Sequence, residues 1–101
     1  MKTISKSKIM RMLGGFVSVE NATSRNGYSV APNQFILKFE NGTVFQSYRS
    51  LIGVKIGRDL YLTDKHDYSN TTSGYVGRWC GKNCAERRKG LDDGSIVSIN
   101  G

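Results

Sequence analysis

The clearest pattern along the chain is a pair of strand-like runs, Gln34–Glu40 and Thr43–Tyr48, joined by Asn41-Gly42. Alternation at a period of two marks strands with distinct faces, and Asn-Gly suits a two-residue turn because both positions tolerate positive φ. That turn sets Phe39 opposite Val44, Leu37 opposite Gln46 and Phe35 opposite Tyr48. One face then carries Phe35, Leu37, Phe39, Val44 and Tyr48, and is the expected core face. Ile36 and Phe45 fall on the opposite face, so either helices cover both faces or these two mark an exposed apolar patch.

A second hairpin is read from Leu51–Ile56 and Leu60–Thr63. A two-residue turn at Gly57-Arg58 would send Leu60 and Leu62 to the face opposite Ile52, Val54 and Ile56. A three-residue loop, Gly57-Arg58-Asp59, pairs Ile56 with Leu60 and Val54 with Leu62, which burial on one face favours. Helical spacing appears at both ends of the chain. Thr3–Leu13 reads as a short helix capped by Thr3 or Ser5, with Ile9, Met12 and Leu13 inward, Lys8 and Arg11 outward, and Gly14 as its stop. A further helix starts near Thr71 or Thr72 and runs to about Cys80, with Tyr75, Val76, Trp79 and Cys80 on one face. Asn83 caps another that continues through Lys89 and stops at Gly90; Asp92-Asp93-Gly94 then turns into a last strand, Ser95–Ile99.

The remaining segments are weaker in pattern. Phe16–Val19 reads as a strand, Asn21–Gly27 as an exposed loop, and Tyr28–Val30 as an edge strand that Pro32 interrupts. Together the elements predict one α+β domain over residues 1–101. Its antiparallel sheet has four or five strands built on two consecutive hairpins, with the N-terminal helix and the C-terminal helices on one face.

The stretch from Tyr28 to Trp79 carries "NQFILKFENGTVFQSY", "LIGVK", "LYLT" and "DYSNTTSGY". In these features, over about two-thirds of the chain, it resembles a family of short uncharacterised domains from Bacteroidetes genomes and their phages. The resemblance implies a shared architecture and a phage or mobile-element origin. It departs at "WCGKNCAERRKG", where the two cysteines are peculiar to this chain.

Composition narrows the classes further. Hydrophobic residues make up 38% of the 101 and charged residues 23%, the balance of an ordinary globular chain. No apolar run approaches membrane-spanning length, and the N-terminal segment is too broken by Lys6, Lys8, Arg11 and Gly14-Gly15 for a secretion signal. A cytoplasmic protein is the expectation. The Asn-X-Ser/Thr triplets at Asn21, Asn41 and Asn70 then carry no glycan, and Cys80 and Cys84 are free thiols rather than a disulfide.

Catalytic chemistry finds little support. Two cysteines and His66 make an incomplete metal set, so no metal or other cofactor is expected. His66 beside Asp67, with Asp64 nearby, lacks a nucleophile and reads as a turn histidine. Charge is more informative. The chain carries +7, concentrated as +4 in residues 1–19 and +4 in residues 74–90, the rest being near neutral. If both helical segments pack on one side of the sheet, Lys8, Arg11, Arg78, Lys82, Arg87, Arg88 and Lys89 form one basic surface. Such a surface suits non-catalytic binding: first as an adaptor or inhibitor of a protein partner, alternatively as a sequence-nonspecific nucleic-acid binder.

Overall fold

The computed structural model describes residues 1–23 and 30–100. Its elements in chain order are β1 (Thr3–Ser5), α1 (Lys6–Leu13), β2 (Phe16–Thr23), β3 (Val30–Phe39), β4 (Gly42–Ser47) and β5 (Ser50–Ile56). They continue with β6 (Asp59–Leu62), α2 (Asn70–Cys80), α3 (Cys84–Asp93) and β7 (Val97–Asn100). The α+β class is as expected, but the sheet has seven strands in the order β1-β7-β6-β5-β4-β3-β2. It is mixed, because β7 lies parallel to both β1 and β6. The first three residues of the expected N-terminal helix are in fact β1, and Ser5 caps α1 by accepting a hydrogen bond from the Lys8 N–H at 3.1 Å.

The chain packs helices on both faces of the sheet. On one face Ile9 and Leu13 of α1 are fully buried against Val44, Val54 and Tyr61. On the other, Val76 of α2 packs with Phe45, Ile52 and Leu62, and Trp79 and Leu91 close over them. Connectivity dictates this arrangement. β1 and β2 form opposite edges, and six inter-strand steps of about 4.8 Å would hold them roughly 29 Å apart in a flat sheet. An eight-residue helix covers only about 12 Å. The sheet therefore coils around α1, which cannot reach the side occupied by α2 and α3. The expected placement of all helices on one face is thus corrected, and Ile36 and Phe45 are covered rather than exposed.

Both hairpin registers differ from expectation, for separate reasons. In the first, Phe39 pairs with Gly42, Leu37 with Val44 and Phe35 with Gln46, so the turn is Glu40-Asn41. Asn41 fastens that turn to the end of α1: its N–H donates to the Leu13 carbonyl at 3.0 Å and its Nδ2 to the Met12 carbonyl at 3.0 Å. These are carbonyls that a helix C-terminus leaves unpaired. Gly42 is needed for a different reason, since a Cβ there would stand 2.2 Å from the Lys55 carbonyl oxygen. The face assignment survives within the paired strands, because the pairing slips by two residues and not one; Tyr48, expected on the core face, lies past the end of β4 and is exposed.

In the second hairpin Ile56 pairs with Asp59 and Val54 with Tyr61, giving the two-residue turn Gly57-Arg58 with Gly57 at φ 60°. With both faces apolar and covered, Leu60 and Leu62 lose nothing by lying opposite Val54. A register shift beside Phe45 turns Ile52 onto their side.

Smaller corrections follow the same physics. β2 extends to Thr23, so Asn21–Thr23 of the expected loop are strand, while Ser24–Gly27 and Tyr28-Ser29 lie outside the described residues. Pro32 sits within β3, where the β2–β3 register shifts and β3–β4 pairing has yet to begin. α3 runs through Gly90 and stops at Gly94, whose φ is 84°. Gly90 serves packing, since a Cβ there would meet Ile96 at 2.5 Å.

Candidate functional site

The α2–α3 corner begins with strong local signals. Ser69 caps α2, accepting from the Thr72 N–H, and Gly81 in the left-handed region ends it. Asn83 and Glu86 then exchange hydrogen bonds in a capping box that opens α3. This corner encloses a groove of about 560 Å³ whose rim includes Arg78, Lys82, Asn70, Asn83, Ser73 and Gly77. Among the described residues no carboxylate lines it. Arg78 is held over the Tyr75 ring, 4.6 Å from its centroid, which leaves the guanidinium on the outer wall.

Beneath the groove lies Arg87, which is 0% exposed. Its Nε donates to His66 Nδ1 at 3.0 Å, its Nη1 to the Lys82 carbonyl at 2.7 Å, and its Nη2 to Ser73 Oγ at 2.5 Å. One side chain thereby ties α3 to α2 and to the loop after β6. No carboxylate forms an ion pair with this guanidinium among the described residues. A buried cation satisfied by neutral acceptors alone keeps its field, which projects toward the groove.

His66 is itself buried, at 4% exposed. Burial pushes its imidazole below the ordinary range; the Asp67 carboxylate opposes this, and Arg87 and Arg88 add to it. A neutral ring agrees with Nδ1 acting as the acceptor from Arg87. Asp67 accepts from Arg88 Nε and Nη2 at 3.0 and 2.8 Å, and that pair holds its carboxyl below the usual range. Both cysteines are free thiols, with the Cys84 sulfur 3.8 Å from Asp67 Oδ2.

The seven basic residues expected on one surface divide into three groups. Lys8 and Arg11 are exposed on α1, which packs on the other face of the sheet from α2 and α3. Arg78 and Lys82 line the groove, while Arg88 and Lys89 are exposed on α3, Arg88 paired with Asp67. Arg87 is no surface residue at all. Its burial has a signal in the sequence: Arg87, Gly90 and Leu91 share an i, i+3, i+4 stripe once Asn83–Glu86 fixes the helix start. Asn70, Ser73 and Gly77 join the site only through tertiary packing, and nothing local in the sequence marks them.

Among the described residues no helix is long and apolar enough to cross a membrane. No curated protein and no solved structure matches the chain. A family model does match residues 17–95, most of its length, and the chain belongs to that family, a family of unknown function (DUF8033).

Proposed function

We propose that this domain is a non-catalytic binding module whose α2–α3 groove receives an acidic segment of a protein partner. The observation that carries the reading is a groove lined by Arg78 and Lys82 above a buried Arg87, with no carboxylate in the lining and no ion pair to Arg87 among the described residues. An aspartate or glutamate side chain entering there gains charge-assisted hydrogen bonds in a partly desolvated setting. Catalysis is disfavoured because His66 is buried and has committed Nδ1 to Arg87. The Cys84 thiol that lines the groove lies against Asp67 Oδ2 at 3.8 Å, and among the described residues no base stands beside it to activate it. An adaptor or inhibitor of phage or mobile-element origin, acting in the cytoplasm, accords with this reading and with two free thiols.

Nucleic-acid binding is the second reading, and the separation of Lys8 and Arg11 from the groove weakens it. A duplex needs a track of several phosphate contacts, and the groove supplies a compact spot. The deciding experiment measures a fluorescent Glu/Asp-rich peptide and a labelled DNA duplex against the wild type and the Arg78→Glu, Lys82→Glu double variant. Saturable peptide binding that falls at least about tenfold in the variant is expected, with duplex binding weak in both. Tight duplex binding lost by the same variant transfers the function to nucleic acid. Failure to bind either ligand overturns the groove as a site.

A further inference from the structure

The two edges of the sheet differ in kind. β1 is three residues long and offers little to another strand, whereas β2 runs for eight, Phe16–Thr23, and is bonded to β3 on one side only. Exposed edges are normally blunted by brevity, lysine or proline. β2 carries neither lysine nor proline, and Glu20 is its single charge. Phe16, Val17 and Val19 are instead each more than half exposed. Register shifts towards both ends leave Ser18–Asn21 as the regular stretch. Side chains there sort by face. Val19 lies beside Leu37 and Phe16 beside Phe39, the two rings edge to face at 5.6 Å, which makes an apolar seam continuous with the core under α1. On the other face Lys38 and Glu20 form an exposed ion pair at 3.8 Å, and Ser18 is the residue opposite Lys38.

We infer that β2 is the interface of a homodimer, in which the β2 edges of two copies pair antiparallel about a two-fold axis and join their sheets into one. Self-complementarity is what selects a second copy as the occupant. A two-fold axis normal to the sheet keeps every side chain on its own face, so it must pass through a residue position. Placed at Val19, it sets that side chain against the partner's Val19 and brings the two apolar seams together. It also sets Glu20 across from the partner's Ser18, one strand away from the partner's Lys38, and symmetry makes that contact twice. Placed one residue further on, at Glu20, it opposes two carboxylates. Charge does not resist this approach. β2 and β3 together hold one acid and one base, Glu20 and Lys38, so the edge is neutral in a chain that carries +7.

The dimer is independent of the basic groove, because β2 and the groove share no residue. The experiment is sedimentation equilibrium of the full chain from about 1 µM to about 500 µM, with the fold of each variant checked by thermal melting. The wild type should pass from monomer to dimer within that range. Val19→Lys, at an exposed position, should stay monomeric throughout while melting as the wild type does. Glu20→Lys and Lys38→Glu should each weaken the dimer at least about tenfold, and the double variant, which exchanges the two charges, should regain wild-type association to within about threefold. Amide protons of β2 should also exchange more slowly as the concentration rises. A wild type that is monomeric at the highest concentration overturns the assignment, as does a dimer that Val19→Lys leaves intact. A double variant no better than the single ones overturns the pairing centred on Val19.

Discussion

The two faces of this sheet are closed by opposite strategies. α1 is held by apolar burial, with Ile9 and Leu13 inside the coil of strands and polar contacts confined to its ends. The α2–α3 pair has its own apolar contacts through Val76, Trp79 and Ile96, but its helices are joined to each other by one arginine bonded to three segments. A dry contact tolerates change in proportion to the volume removed. A polar hub fails as a unit, because each lost donor strands a buried acceptor. The face fastened by polar groups is also the one that carries the groove.

That contrast breaks first at Arg87. Arg87→Ala should cost roughly 3–5 kcal/mol in denaturant unfolding, since the Lys82 carbonyl, Ser73 Oγ and His66 Nδ1 all lose their donor. Arg87→Met, which keeps an apolar stem, should cost less and still weaken acidic-peptide binding. A loss below about 1 kcal/mol for the alanine variant would mean the hub is not holding the helices together. On the dry face, Leu13→Ala should cost about 3 kcal/mol, set by the cavity it leaves, with peptide binding unchanged in the folded fraction. Loss of binding with intact folding in that variant would show that the faces are coupled.

The two faces were also unequally legible in the sequence. Alternation along Phe35–Phe39 and Val44–Ser47 identified both sides of the first hairpin correctly even though the turn was off by one residue. Asn41-Gly42 drew attention to the right residues for the wrong purpose. Asn41 binds the end of α1, and Gly42 makes room for the Lys55 carbonyl, both non-local demands. For the second hairpin, the assumption of a one-sided core chose the wrong register, since Leu60 and Tyr61 are both buried but on opposite faces. β1 could not be read from three residues, because its pairing partner β7 is more than ninety positions away. Charge counting placed an excess at both chain ends but could not say that α1 would pack on the opposite face of the sheet from α2 and α3. Nor could it say that Arg87, among exposed Arg88 and Lys89, would point inward.

A milder perturbation separates the hub from simple burial. The His66 pKa is lowered in the fold from an ordinary value of 6.5, so below that value the unfolded chain binds the proton first. Stability should therefore be level above about pH 6.5 and decline as pH falls toward the folded value, by at most about 1.4 kcal/mol per pH unit. Denaturation midpoints measured from pH 7.5 to 5 should show this decline in the wild type and a flatter profile in His66→Gln. Identical profiles would mean that folding does not depress proton uptake by His66, and that its bond from Arg87 is not what keeps the ring neutral.

The smallest effect tests whether local strain is built in at the turn after β4. Tyr48 is 57% exposed, so losing its ring should cost the fold little, yet its φ of 55° imposes a penalty on any residue with a Cβ. Tyr48→Ala keeps that penalty, and Tyr48→Gly removes it. The glycine variant should accordingly be the more stable of the two by about 1 kcal/mol. If the alanine variant proves equally stable, the turn relaxes freely, and the clamps from Asn33 and Gln46 are not holding a strained residue. If glycine gains stability as expected, the strain at Tyr48 is held in place by two hydrogen bonds, from its N–H to the Asn33 carbonyl and from Gln46 Nε2 to its own carbonyl. Backbone energy would then be stored at this turn, as an unneutralised charge is stored in the buried Arg87.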